Sequence, residues 1–147
     1  MKEENISKIV EKICLTFEGI AFEEEVQICT EIQDNISFKC NKEEIEKLIS
    51  INLDNAIKHS YKKSIIKVNM FKDKNKIIIE VINSGDPIKK GDEEKIFERF
   101  YREDKARSRK ENRYGLGLAI AKNIVTNHGG TITAASNDGK TTFKITL

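Results

Sequence analysis

Residues 65 to 82, IIKVNMFKDKNKIIIEVI, constrain the fold more than any other stretch of the chain. Two apolar, β-branched runs flank the polar KDKN at 72–75, the pattern of a β-hairpin whose second strand stops at Asn83. A lone hairpin is not stable in water, so other parts of the chain must cover one of its faces. Ile6, Ile9, Val10, Ile13, Phe17 and Ile20 recur at helical spacing and predict a helix over 5–21 that ends near Gly19. Asn41, with Glu44 placed to form a capping box, opens a second helix that runs to about Ser60. A third runs from about Leu116 to Asn127 and is closed by Gly129. A short helix is expected over 93–103, with Ile96, Phe97, Phe100 and Tyr101 on one side. EEEVQICTEI and ISFKC read as strands paired through Gln33–Asn35, and TITAAS and TTFKITL as a closing hairpin over NDGK.

Strand pairs and helices in this order predict an α+β fold, a two-layer α/β sandwich whose mixed, mostly antiparallel sheet is covered on one face by three helices. A length of 147 residues suits a single domain over 1–147. The 26 basic and 24 acidic side chains nearly cancel, so the balance does not suggest nucleic acid as a partner. The most basic segment, REDKARSRKENR at 102–113, is diluted by Glu103, Asp104 and Glu111 and reads as a solvated, mobile loop. MKEENISKIV has no apolar signal core and no later run approaches membrane length, so no direct membrane contact is expected. Cys14, Cys29 and Cys40 lie in no metal-binding spacing and read as reduced thiols of a cytosolic setting.

The chemistry concentrates in three places. In YGLGLAIAKNIVTNHGG, Gly115 and Gly117 stand at the start of a helix, where unpaired N–H groups and the dipole attract anions and a missing side chain lets a phosphate approach. The alternative is that Gly115 merely ends a loop and Gly117 fits a tight helix contact. The spacing is not a Walker loop, and the third glycine of a dinucleotide fingerprint would fall at Ile120. On the helix NKEEIEKLISINLDNAIKHS, Ile45, Leu48, Ile49, Leu53, Ala56 and Ile57 form the buried arc while Ile51, Asn55 and Lys58 share one edge of it. An Asn and a Lys on one edge suit a magnesium ion and the phosphates with which it shares ligands; the bland reading is a border Asn and a solvated Lys. In VINSGDPI, Asn83 stands where the apolar alternation stops; it suits the edge of a base, or an ordinary Asx turn.

These pieces resemble the ATP-binding catalytic domain of sensor histidine kinases, in the superfamily that also includes DNA gyrase, heat-shock chaperone and mismatch-repair ATPases. NLDNAIKHS is similar to the N box, INSGDPI to the first glycine box, IFERFYR to the F box, YGLGLAIAKNIVTNHGG to the second glycine box and GKTTFKITL to the closing hairpin. The resemblance implies ATP and Mg²⁺ as ligands. Asn55 would coordinate the metal, Lys58 would contact phosphate and His59 would sit near sugar or phosphates. Asn83 would read the adenine amino group, Gly85 would let the chain pass close to the base, and Ile88 would pack near it. Phe97, Phe100 and Tyr101 would anchor the near end of a lid over about 103–114, Arg102 and the lid's basic residues would neutralise the phosphates, Gly115, Leu116, Gly117 and Leu118 would complete the phosphate cradle, and Thr142 would lie at the nucleotide.

By the same resemblance, the γ-phosphoryl group passes to a histidine on a separate dimerisation domain of the same parent protein, and a response regulator acts downstream. The chain would be the cytoplasmic part of a membrane-anchored sensor, without the phosphoacceptor and sensor domains, and would not phosphorylate itself in isolation. His59 and His128 are not expected to be the acceptor, and His128 reads as a cationic helix tip. Three departures stand out: Ile51 where the family has a second Asn, Asn83 in place of Asp, and Pro87 and Tyr114 in place of glycines. Asn52, turned into the apolar arc, reads as a satisfied core polar group. The departures leave one alternative, a non-catalytic nucleotide-binding regulatory module.

Overall fold

A computed structural model of the chain describes residues 1–99, 101 and 114–147. The elements in order are β1 (Lys2–Asn5), α1 (Ile6–Glu23), β2 (Gln27–Ile32), β3 (Ser37–Cys40), α2 (Lys42–His59), β4 (Ile65–Asp73), β5 (Lys76–Ser84), a 3₁₀ turn (Lys95–Phe97), α3 (Tyr114–Asn127), β6 (Thr131–Asn137) and β7 (Lys140–Thr146). The main sheet has the order β2-β4-β5-β7-β6; β2 runs parallel to β4 and every other pair is antiparallel. Helices lie on the face that carries Ile66, Val68, Ile79, Val81, Phe143 and Ile145. The opposite face carries Lys67, Glu80 and Lys144, with Lys67 Nζ 3.5 Å from Glu31. This is the expected α+β sandwich.

The second helix starts where the sequence predicts. Asn41 Oδ1 accepts the Glu44 N–H at 3.0 Å, Glu43 and Glu44 stand in the first turn, and Lys58 and His59 in the last, each sign suited to its end of the dipole. Its Ile45, Leu48, Ile49 and Leu53 are fully buried, so cutting any one to alanine costs about 2–5 kcal/mol. The capping box is only half made: the Asn41 N–H donates to His128 Nε2 at 3.1 Å, so Glu44 is not its partner. The third helix ends in a Schellman motif, with Gly129 at φ +75° and the Gly130 N–H bonded to the Val125 carbonyl at 2.9 Å.

Three expectations need correction. Strands β2 and β3 do not pair with each other. Ser7 Oγ donates to the Gln33 carbonyl at 2.6 Å and accepts the Ile36 N–H at 3.0 Å, which anchors the 33–36 turn to the start of α1. From there β3 pairs antiparallel with β1 in a separate two-stranded sheet, while β2 joins β4. The first helix continues past Gly19 to Glu23, because Gly19 faces open space and Ala21, 1% exposed, buries the next turn. The helix expected over 93–103 is a single 3₁₀ turn at Lys95–Phe97; Phe100 lies outside the described residues.

Candidate functional site

The last turn of α2 lies against the end of β5, and the start of α3 lies against the same helix near Ile51. Asn55 is buried, at 6% exposure, yet its side chain shares no hydrogen bond with any described residue. Lys58, one turn on, is exposed and lies 3.3 Å from Asp54, one turn back. Ile51, on the same edge, packs toward Gly117: a Cβ on that glycine would sit 3.5 Å from Ile51 Cγ2. That places the edge carrying Asn55 beside the first turn of α3, whose backbone N–H groups the helix leaves unpaired. The 3.5 Å separation is ordinary van der Waals contact, so packing against Ile51 does not demand a glycine. Leu116 is half-buried and Leu118 buried, anchoring the turn to the core.

The end of β5 is locked to the end of α2. Asn83, 2% exposed, donates from Nδ2 to the His59 carbonyl at 3.3 Å. One N–H of the amide is thereby committed, and the carbonyl oxygen is the acceptor the side chain retains. Gly85 is demanded by the same carbonyl, because a Cβ there would fall 1.9 Å from His59 O. The close approach that requires this glycine is therefore the terminus of α2. Past Gly85, the half-buried Ile88 donates its N–H to Ser136 Oγ at 2.9 Å, and Ser136 Oγ lies 2.8 Å from Thr141 Oγ1. Tyr101 Oη donates to Asp92 Oδ2 at 2.8 Å, and buried Phe97 meets Phe143 edge-on at 6.1 Å. Arg102 and 103–113 lie outside the described residues.

Thr142 does not join this group. In the β5–β7 register Asn83 stands opposite Thr141 and Ile82 opposite Thr142, and alternation along a strand sends the two threonines to opposite faces. Thr141, 5% exposed, is the residue on the Asn83 face. The sequence carried the signal: Thr141 shares its parity with Phe143 and Ile145 in TTFKITL.

Residues 40–147 match the family described as histidine kinase-, DNA gyrase B-, and HSP90-like ATPase. The chain belongs to this ATPase family. It is 34% identical to the sensor protein DltS of Streptococcus agalactiae over 148 residues, which are 99% of this chain and 37% of DltS. It is 45% identical to the signal transduction histidine-protein kinase ArlS of Staphylococcus aureus over 113 residues, 76% of this chain and 25% of ArlS. The chain thus spans well under half the length of these relatives. The catalytic domain of histidine kinase ThkA shares the fold, with a TM-score of 0.86 and 23% identity over 99% of this chain and 93% of that one. ThkA has also been solved in complex with a response regulator protein, TrrA; that kinase chain aligns at a TM-score of 0.83 and 22% identity, covering 99% of this chain and 41% of its own.

Membership of an ATPase family implies ATP binding, and the donor set fits. No group of three or more His, Cys, Asp and Glu among the described residues is placed to hold a metal ion. The unclaimed Asn55 amide is instead a single oxygen donor, suited to a Mg²⁺ ion that takes its other ligands from phosphates and water. Asn52 is not the satisfied polar group expected of it: Nδ2 donates to the Leu48 carbonyl at 2.8 Å, but Oδ1 is buried without a partner among the described residues. His128, read from the sequence as a helix tip, has its side chain buried: Nε2 accepts the Asn41 N–H at 3.1 Å, and Nδ1 lies 2.8 Å from the Ile124 carbonyl and 3.8 Å from Glu44 Oε2. Cys14 and Cys40 are buried, and burial pushes the Cys14 thiol up to about 12, which leaves it protonated and inert. No helix among the described residues is long and apolar enough to cross a membrane.

Proposed function

We propose that this chain is the nucleotide-binding catalytic part of a sensor histidine kinase, and that it presents ATP for transfer of the γ-phosphoryl group to a histidine on a separate dimerisation domain of the parent protein. The observation that carries the reading is the unclaimed amide of the mostly buried Asn55, on the edge of α2 that faces the first turn of α3 with its Gly115 and Gly117. Asn83 Oδ1, its orientation fixed by the His59 carbonyl, accepts from the adenine amino group, while Ile88 packs near the base and Thr141 takes the place expected of Thr142. Lys58, released from Asp54, neutralises phosphate charge, and the first turn of α3, from Gly115 to Leu118, supplies N–H donors. His59 serves the sugar or phosphates, Tyr101 anchors the near end of the lid, and Arg102 contributes charge toward the phosphates.

Asn55 would hold Mg²⁺, which supplies charge neutralisation on the phosphate oxygens. The protein's own part is positioning and electrostatic complementarity, which dominate phosphoryl transfer. With both ring nitrogens engaged and the ring buried, His128 is no phosphoacceptor. A response regulator downstream and a cytoplasmic position beneath a membrane-anchored sensor complete the reading, in keeping with the sensor kinases it resembles. The test is to supply the helical-hairpin dimerisation domain of the parent in trans with radiolabelled ATP. Acid-labile phosphate on its histidine, dependent on Asn55, supports the proposal. Nucleotide binding without transfer to any histidine would instead favour a regulatory module.

A further inference from the structure

The loop that leaves β5 is held from outside by a residue that belongs to none of the motifs. Tyr61 follows the C-cap of α2, and its backbone N–H donates to the Ser84 carbonyl at 2.9 Å. Its hydroxyl reaches Asp86 Oδ1 at 2.6 Å, a bond across 25 residues of sequence. Neither residue is buried; Tyr61 is 53% exposed. An exposed phenol gains little from burial, so the short bond to a carboxylate is what holds the ring there. That bond also pushes the Tyr61 hydroxyl above its usual range, which keeps it protonated as a donor.

The grip falls on a segment with few other freedoms. Gly85 is seated against the His59 carbonyl, Pro87 has its φ fixed by its ring, and Ile88 is bonded through its N–H to Ser136. Among the described residues, Tyr61 is the one side chain that holds Asp86. We propose that Tyr61 and Asp86 are positioning residues for nucleotide binding, tethering the 85–88 loop in the shape that receives the base. The inference rests on the nucleotide-site reading above. An exposed tether adds little to the stability of the fold; its value lies in ordering the loop before the ligand arrives, so that this cost is not drawn from the binding energy.

The experiment is calorimetry of Mg-ADP and a Mg-bound non-hydrolysable ATP analogue with the wild-type chain, Tyr61→Phe, Asp86→Ala and the double variant, with the melting temperature of each free protein. Each single variant should bind roughly three- to tenfold more weakly, as the loss of one such hydrogen bond implies. The double variant should be no worse than either single one, Asp86→Asn, which keeps an acceptor oxygen, should retain most of the affinity, and the free proteins should melt together. Wild-type binding with unchanged affinity in Tyr61→Phe, or losses that add in the double variant, overturns the tether and leaves the nucleotide site standing. No binding by the wild-type chain overturns both.

Discussion

The two glycines at the site should fail in opposite ways when each is changed to alanine. In Gly85→Ala the new Cβ would lie 1.9 Å from His59 O, 3.0 Å from His59 C and 3.1 Å from Asn83 Nδ2. The two nearest are backbone atoms and the third is held by its bond to that same carbonyl, so either the end of α2 or the end of β5 must move, and the Asn83–His59 bond goes with it. Overpacking of this kind costs about 1–3 kcal/mol, and the lost buried hydrogen bond about 1 kcal/mol more. For a domain of this size each 1 kcal/mol lowers the melting temperature by roughly 2–4 °C, so a fall of about 5–15 °C is expected. In Gly117→Ala the nearest atom outside the helix is Ile51 Cγ2 at 3.5 Å, an ordinary contact, and alanine is the better helix former by about 1 kcal/mol. Its melting temperature should hold or rise, while nucleotide affinity falls about tenfold or more because the methyl group stands where phosphate meets the backbone. Thermal denaturation by circular dichroism and calorimetry with Mg-ADP on both variants decide it. A stable Gly85→Ala, or a Gly117→Ala that binds like the wild type, would refute the assignment of one glycine to the fold and the other to the ligand.

Three further outcomes are expected. Asn83→Asp should lower stability by about 1–3 kcal/mol in urea denaturation, because a carboxylate would face the His59 carbonyl where the amide now donates. Asn52→Leu should hold or raise stability by up to about 2 kcal/mol in the same assay, since it removes a buried carbonyl oxygen without a partner from a surrounding core of apolar side chains. His128→Ala should cost about 2–4 kcal/mol and loosen the start of α2, read as faster amide exchange at Asn41, because that N–H loses its acceptor and a fully buried ring is deleted.

Local signals were legible where local physics decides. The β4–β5 hairpin turns at Asp73–Lys76, where polar residues interrupt the two apolar runs, although it sets Lys74 at φ +57°, a conformation lysine does not favour, and Asn41 caps α2 as its residue type dictates. What could not be read depends on partners far along the chain. The Gln33–Asn35 turn looks like a hairpin, but Ser7 claims its backbone and sends the two strands to different sheets. Glu44 and Asn41 satisfy the pattern of a capping box, yet His128, 87 residues away, takes the N–H. At the site, the shared edge of Asn55 and Lys58 followed from helical periodicity alone. The reason for Asn83 and Gly85 did not, because it lies in a single carbonyl at the end of another element. Thr142 lies on the sheet face opposite Asn83, and strand parity in TTFKITL already set Thr141 on the Asn83 face.

The central claim is that Asn55, Asn83 and the first turn of α3 form one magnesium-dependent nucleotide site. Calorimetry of the wild-type chain and Asn55→Ala with ADP and a non-hydrolysable ATP analogue, each with and without Mg²⁺, tests it directly. Binding should strengthen with Mg²⁺ in the wild type and lose that dependence in Asn55→Ala, with a rise in wild-type stability of about 2.7 kcal/mol at a ligand concentration a hundred times the dissociation constant. Binding indifferent to Mg²⁺ and to Asn55, or no binding at millimolar nucleotide, would contradict it.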